Sequence, residues 1–123
     1  MPAQDEAALT VEEVWSRHGE LEGKRIRVAG FVDRCYGLGC QLKQIGEGSD
    51  AKWLGIGTSA EFDGAVQAYL GKSIVVEGQL DATCLHAYAD EDDGLAHVGK
   101  DYTVICTDRS SMLKHPKLIS VGL

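Results

Sequence analysis

Apolar and polar residues alternate over two segments of the chain, and the two segments are near copies. Gly23-Lys-Arg-Ile-Arg-Val-Ala-Gly-Phe-Val-Asp33 and Gly71-Lys-Ser-Ile-Val-Val-Glu-Gly-Gln-Leu-Asp81 share the pattern Gly-Lys-x-Ile-x-Val-x-Gly-x-(Val/Leu)-Asp. Period-two alternation puts Ile26, Val28, Gly30 and Val32 on one face of the first copy, as a half-buried strand requires. Each copy has a central glycine, Gly30 or Gly78, where a barrel strand would coil sharply enough to serve both halves. Each also runs out into a cysteine, Cys35 or Cys84, and the second copy is expected to continue as one strand to about Ala87. Cys40–Ile45, Lys52–Gly57 and Tyr102–Thr107 read as shorter strands, the last being the fifth. The tail after Asp108 is expected to run back along the surface.

Two stretches change from a period of two to a helical period. Thr10 and Glu13 form a capping box, Leu9 and Val14 sit where a hydrophobic staple would, and Val11, Val14, Trp15 and His18 make one apolar face. This helix stops at Gly19 or Gly23 and is expected to plug or cover the barrel. Thr58 and Glu61 form a second capping box, followed by Phe62, Ala65, Val66, Tyr69 and Leu70 at helical spacing and by Gly71 as C-terminal cap. Residues 1–8 carry no pattern and read as a frayed tail, leaving 9–123 as a single domain.

The predicted order is helix, three strands, helix, two strands. Three strands, a helix and two strands is the element order of the OB-fold, a five-stranded Greek-key barrel. The fold class is therefore mainly β, with one helix at the N-terminus and one between strands three and four. The Gly-Lys-x-Ile-x-Val-x-Gly strands resemble those of small bacterial OB-fold domain proteins of unassigned function, over roughly residues 9–110. That resemblance implies that the first and fourth strands are neighbours in the barrel; it says little about activity.

Length and charge narrow the function. At 123 residues the chain can build one core but not two. Its 15 glycines and 2 prolines suit a strand-rich fold with many turns. A net charge of −7 and a pI near 4.9 disfavour a nucleic-acid partner, because phosphate contacts need a basic face. No apolar run approaches the ~18 residues of a membrane span. No leader peptide is evident, yet Ala3-Gln-Asp-Glu-Ala-Ala8 resembles the start of a mature exported chain behind a replacement Met. An exported, periplasmic location is the expectation and a cytoplasmic one the alternative, and the choice bears on the state of the four cysteines.

Cys35 and Cys40 flank the turn Tyr36–Gly39, and Cys84 and Cys106 are expected on the paired fourth and fifth strands. Two local disulfides are the leading account, and four unpaired thiols the next. A third account starts from Cys84-Leu-His86, which would put a thiol and an imidazole on one strand face. Cys35, Cys40, Cys84, His86 and Cys106 would then supply a structural zinc set, although paired C-x-x-C knuckles are missing. No cofactor is otherwise indicated.

Other motifs read as architecture. Gly55-Ile-Gly57-Thr-Ser-Ala60 fits G-x-G-x-x-A, and Glu77 stands where a ribose-binding acid would. A single βαβ unit with alternating strands does not make a dinucleotide site. The run Asp90–Asp93 reads as a solvated acidic hairpin tip without EF-hand spacing. Asp108, Ser110, Ser111 and His115 read as a polar tail without a nucleophile elbow. His18 reads as a packing residue, and His97 carries no pattern.

OB folds bind ligands across strands two and three. Here that face offers Gln41, Lys43, Gln44, Lys52, Trp53 and the loop Gly46–Asp50, with Tyr36 at the hairpin tip. With no catalytic constellation, the expected function is a non-enzymatic module that recognises a protein or small ligand, as a monomer or weak dimer. The alternatives are a single-strand nucleic-acid binder and a zinc-binding or thiol-redox module.

Overall fold

A computed structural model describes residues 8–33, 35–36, 39–46, 52–57, 59–88, 95–97, 103–106 and 110–121. Its centre is a closed five-stranded barrel. After a short strand β1 (Ala8–Thr10) come helices α1 (Val11–Ser16) and α2 (His18–Leu21), then strands β2 (Arg25–Phe31), β3 (Cys35–Tyr36), β4 (Gly39–Lys43) and β5 (Trp53–Ile56). Helix α3 (Ala60–Val66), a 3₁₀ turn at Gln67–Tyr69, β6 (Ser73–Leu80) and helix α4 (Thr83–His86) follow. The chain ends with β7 (Leu95–His97), β8 (Thr103–Ile105) and β9 (Leu113–Val121). Strands β2, β6, β9, β5 and β4 are hydrogen-bonded in that order, and Phe31 opposite Lys43 closes the ring between β2 and β4. All barrel neighbours are antiparallel except β5 and β9, which run parallel. This is an OB-like barrel, with α3 between its third and fourth strands.

The two sequence copies are β2 and β6, and they pair along their whole length, from Arg25 opposite Gln79 to Phe31 opposite Ser73. Alternation does what the pattern requires. Ile26, Val28, Ile74, Val76 and Leu80 are buried with Leu42, Leu54 and Leu113 from the other strands. Arg25, Arg27 and Glu77 face outward, and Glu77 accepts from both arginines, at 2.7 and 3.1 Å. These bonds, Arg25's first, hold its carboxyl below the ordinary glutamate value. Glu77 is thus a cross-strand ion-pair partner, as an outward position suggested.

Two glycines mark close backbone approaches. A Cβ on Gly30 would lie 2.6 Å from the Lys43 carbonyl, at the point where β2 meets β4. One on Gly55 would lie 1.8 Å from the Ser110 carbonyl. Met112 N–H donates to Gly55 O, and Gly57 N–H to Leu113 O, both at 2.8 Å. The G-x-G run therefore seats the segment entering β9.

Several boundaries differ from the sequence expectation. The fifth barrel strand is β9, not Tyr102–Thr107; within that stretch, among the described residues, Thr103–Ile105 pairs with Leu95–His97 in a separate two-stranded ribbon. Pro116 and a bulge hide β9 from a period-two reading. His115 has φ 54°, and the register against β6 shifts between Glu77 and Gln79. Strand β6 stops at Leu80, and Cys84 and His86 lie on a helical turn, so they do not share a strand face. The polar tail of the sequence reading is partly this barrel strand; Asp108 lies outside the described residues.

The helices follow their caps more closely. Thr10 Oγ1 accepts from Glu13 N–H at 3.0 Å, and Glu13 Oε1 accepts from Thr10 N–H at 2.9 Å. The helix breaks at Arg17, which donates to Glu20, and resumes to Leu21. Ala8 is already in β1, which pairs in parallel with Arg27–Ala29, while residues 1–7 lie outside those described. The α3 cap is Ser59 instead of Thr58: its hydroxyl accepts from Phe62 N–H at 3.2 Å. Phe62 and Val66 turn into the core, whereas Ala65 is exposed. Among the described residues no helix is long and apolar enough to cross a membrane.

Candidate functional site

Helix α1 lies over the end of β5, and the two tryptophans of the chain meet there. The capping box aims α1 so that Val11 and Val14 are buried while Trp15 reaches across to β5. The Trp15 indole Nε1–H donates to the Trp53 carbonyl at 2.9 Å. Trp53 is half-buried, and its ring meets Tyr88 edge-on at 5.8 Å. Tyr88 is also 6.4 Å from Trp15. These spacings are those of favourable aromatic pairs. The Lys52 ammonium stands 5.9 Å from the Trp15 ring centroid, within cation–π range.

Trp15, Tyr88 and Lys52 line an open groove of about 670 Å³, together with Glu12, Glu13 and Ser16, while Trp53 meets it only through Trp15 and Tyr88. That volume is in the range of small-molecule sites. Its acidic rim is fixed at two points. Glu12 N–H donates to Gln44 Oε1 at 2.9 Å, which ties the rim to the residue that follows β4. The Thr10 backbone N–H, followed by its hydroxyl, holds the Glu13 carboxyl below its ordinary value. His18 shares a 2.8 Å hydrogen bond with the Trp15 carbonyl and meets His86 edge-on at 4.6 Å, which links α2 and α4 to the helix that carries Trp15.

Of the residues expected to bind ligand, Lys52 lines this groove, and Trp53 touches it only through its contacts with Trp15 and Tyr88. Gln41 and Lys43 lie opposite Gly55 and Trp53 on the outer face of β4 and β5, but they do not line it. Lys43 pairs with Asp33 at 2.9 Å. Tyr36 contributes backbone to β3; its side chain and most of the loop Gly46–Asp50 lie outside the described residues, as does the acidic run Asp90–Asp93. Trp15 and Tyr88 are the members that sequence reading missed. Trp15 looked like helix core, and nothing local connects Tyr88 to a residue in β5.

The cysteines form a second centre. Cys35 pairs with Cys40 and Cys84 with Cys106 as disulfides, with Cα separations of 4.6 and 5.6 Å. Both pairings were expected, but Cys84 and Cys106 meet between α4 and the end of the β7–β8 ribbon, not across barrel strands. The five-residue zinc set is not assembled. Among the described residues, the group of three metal-ligating side chains that does converge is Cys35, Cys40 and Asp63. Asp63 comes from α3, whose next turn also holds the hairpin: Gln67 Nε2 donates to the Cys35 carbonyl at 2.7 Å.

Comparison of the chain with family models, with curated proteins and with solved structures yields no match.

Proposed function

We propose that this protein is a non-enzymatic binding module of OB type, and that its ligand seat is the groove between α1 and β5. One observation carries the reading: Trp15, Tyr88 and Lys52 line an open, half-polar groove, with Trp53 set against the two aromatic rings that wall it. Rigid aromatic faces with a few fixed polar groups supply contact area at low entropic cost. The ligand is a protein segment or a small molecule with an apolar or flat face and a polar group to meet the rim. Ile45, next to Gln44, is exposed and extends apolar surface near the rim.

The chemistry opposes the single-strand nucleic-acid alternative. Lys43 is neutralised by Asp33, glutamates edge the groove, and the net charge is −7. Two disulfides with no described free cysteine support export to an oxidising compartment. Trp15 lines the groove and Trp53, the second tryptophan of the chain, contacts Tyr88, so tryptophan emission reports on the site. Titration with short peptides and with single-stranded oligonucleotides is the test. Saturable, salt-tolerant emission changes with peptides support the proposal; salt-sensitive micromolar binding of oligonucleotides alone overturns it.

A further inference from the structure

The sulfurs of Cys35 and Cys40 sit beside a carboxylate that a disulfide cannot satisfy. Asp63 Oδ1 lies 3.3 Å from Cys35 Sγ and 3.5 Å from Cys40 Sγ. An oxidised pair has no S–H to donate, so it meets the carboxylate with lone pairs only. The same oxygen is matched by two thiols, or by a cation held among the three atoms.

The distances favour the cation. Zinc-type bonds of about 2.3 Å to sulfur and about 2.0 Å to oxygen, at tetrahedral angles, separate those ligand atoms by about 3.5 Å. Two edges of the site already have that length. The third, between the sulfurs, must open from about 2 Å in a disulfide to about 3.8 Å around a metal. Cys35 and Cys40 are directly opposed on the β3–β4 hairpin with Cα atoms 4.6 Å apart. That is the spacing at which facing side chains come closest, so χ1 rotation opens the sulfurs without moving the strands. Gln67 and the helix carrying Asp63 hold the frame.

We propose that reduction of Cys35–Cys40 creates a site for a zinc-class divalent cation, ligated by Cys35, Cys40 and Asp63 with a fourth position open to water. A dithiol supplies two electrons and two protons, the S–S bond breaks, and the dithiol leaves as its own disulfide. The cation then forms two metal–sulfur bonds and one metal–oxygen bond, and both thiol protons pass to solvent. The disulfide and the metal exclude each other. The site is independent of the aromatic groove. No such group forms around Cys84 and Cys106 among the described residues, so that pair is an internal control.

The test uses the full chain, reduced and desalted without oxygen, then titrated with Cd²⁺ while thiolate-to-metal absorption is recorded. The expected result is one ion per reduced chain, no band for the oxidised chain, and protection of Cys35 and Cys40 but not Cys84 and Cys106 from alkylation. Asp63→Ala, which keeps every cysteine, weakens binding at least about tenfold. Equal affinity in Asp63→Ala, protection of Cys84 and Cys106 instead, or no binding overturns the proposal. Cys35→Ser with Cys40→Ser abolishes the band; if that variant does not fold, the Asp63→Ala titration and the alkylation map decide.

Discussion

The indole N–H of Trp15 donates to the backbone carbonyl of Trp53 at 2.9 Å, joining the first helix to the third barrel strand across 38 positions of sequence. The bond fixes the ring that walls one side of the groove and satisfies a carbonyl at the end of a short strand. Trp15→Phe keeps most of the ring and removes the donor. It is expected to cost about 1–3 kcal/mol in urea unfolding, because a part-buried acceptor loses its partner. An unchanged midpoint would show that the bond contributes nothing.

Gly55 and Gly64 make a matched pair of glycine tests. A Cβ at Gly55 meets the Ser110 carbonyl at 1.8 Å, whereas one at Gly64, inside α3, meets nothing within 4 Å. Gly55→Ala should therefore displace the segment entering β9 and destabilise strongly, by about 3 kcal/mol or more. Gly64→Ala should stabilise by about 0.5–1 kcal/mol. Thermal unfolding of the two variants checks the contrast; similar shifts would contradict the parallel β5–β9 contact.

Acid should weaken the barrel through Glu77. Its folded carboxyl is held below the ordinary value by Arg25 and Arg27, so its contribution is present at neutral pH, above the unfolded pKa. It is lost as pH falls through the lower, folded value. Asp81 follows the same sign: burial raises its pKa, but hydrogen bonds from Lys114 and Thr83 outweigh that and lower it overall. Glu77→Gln should flatten the decline in unfolding free energy measured between neutral pH and about pH 3. A decline identical to the parent's would remove Glu77 from the account.

The two disulfides close loops of different length, with sequence separations of 22 for Cys84–Cys106 and 5 for Cys35–Cys40. Loop-closure entropy then assigns about 3 kcal/mol to the first and about 2 kcal/mol to the second. Denaturant unfolding of the paired Cys→Ala variants should rank them in that order. The reverse order would mean that the β7–β8 ribbon is already held without its bridge.

Local chemistry made much of this fold legible. The copied strands, the Thr10 capping box and the Cys35–Cys40 pair are written in adjacent or regularly spaced residues, and each is found in the structure. Cys84–Cys106 also pairs, but not across the barrel strands from which that pair was expected. Strand β9 was not legible, because Pro116 and the bulge at His115 break the alternation that marks a strand. The groove was half legible. Trp53 and Lys52 lie on the face where OB barrels bind, but Trp15 and Tyr88 reach it only through the way α1 and α4 pack. Asp63 was hidden for the same reason: on α3 it looks like one more polar helix residue, and only the hairpin folded against it gives it a role.

The proposed ligand seat is tested most directly by ¹H–¹⁵N spectra of the whole protein. The chain has two indole N–H signals, from Trp15 in the groove wall and from Trp53, whose ring meets the wall residue Tyr88. On addition of a peptide or small molecule that binds, both signals should shift together and saturate, and Lys52→Ala should weaken the binding. A ligand that binds while both indole signals stay in place would contradict the assignment of the groove as the site.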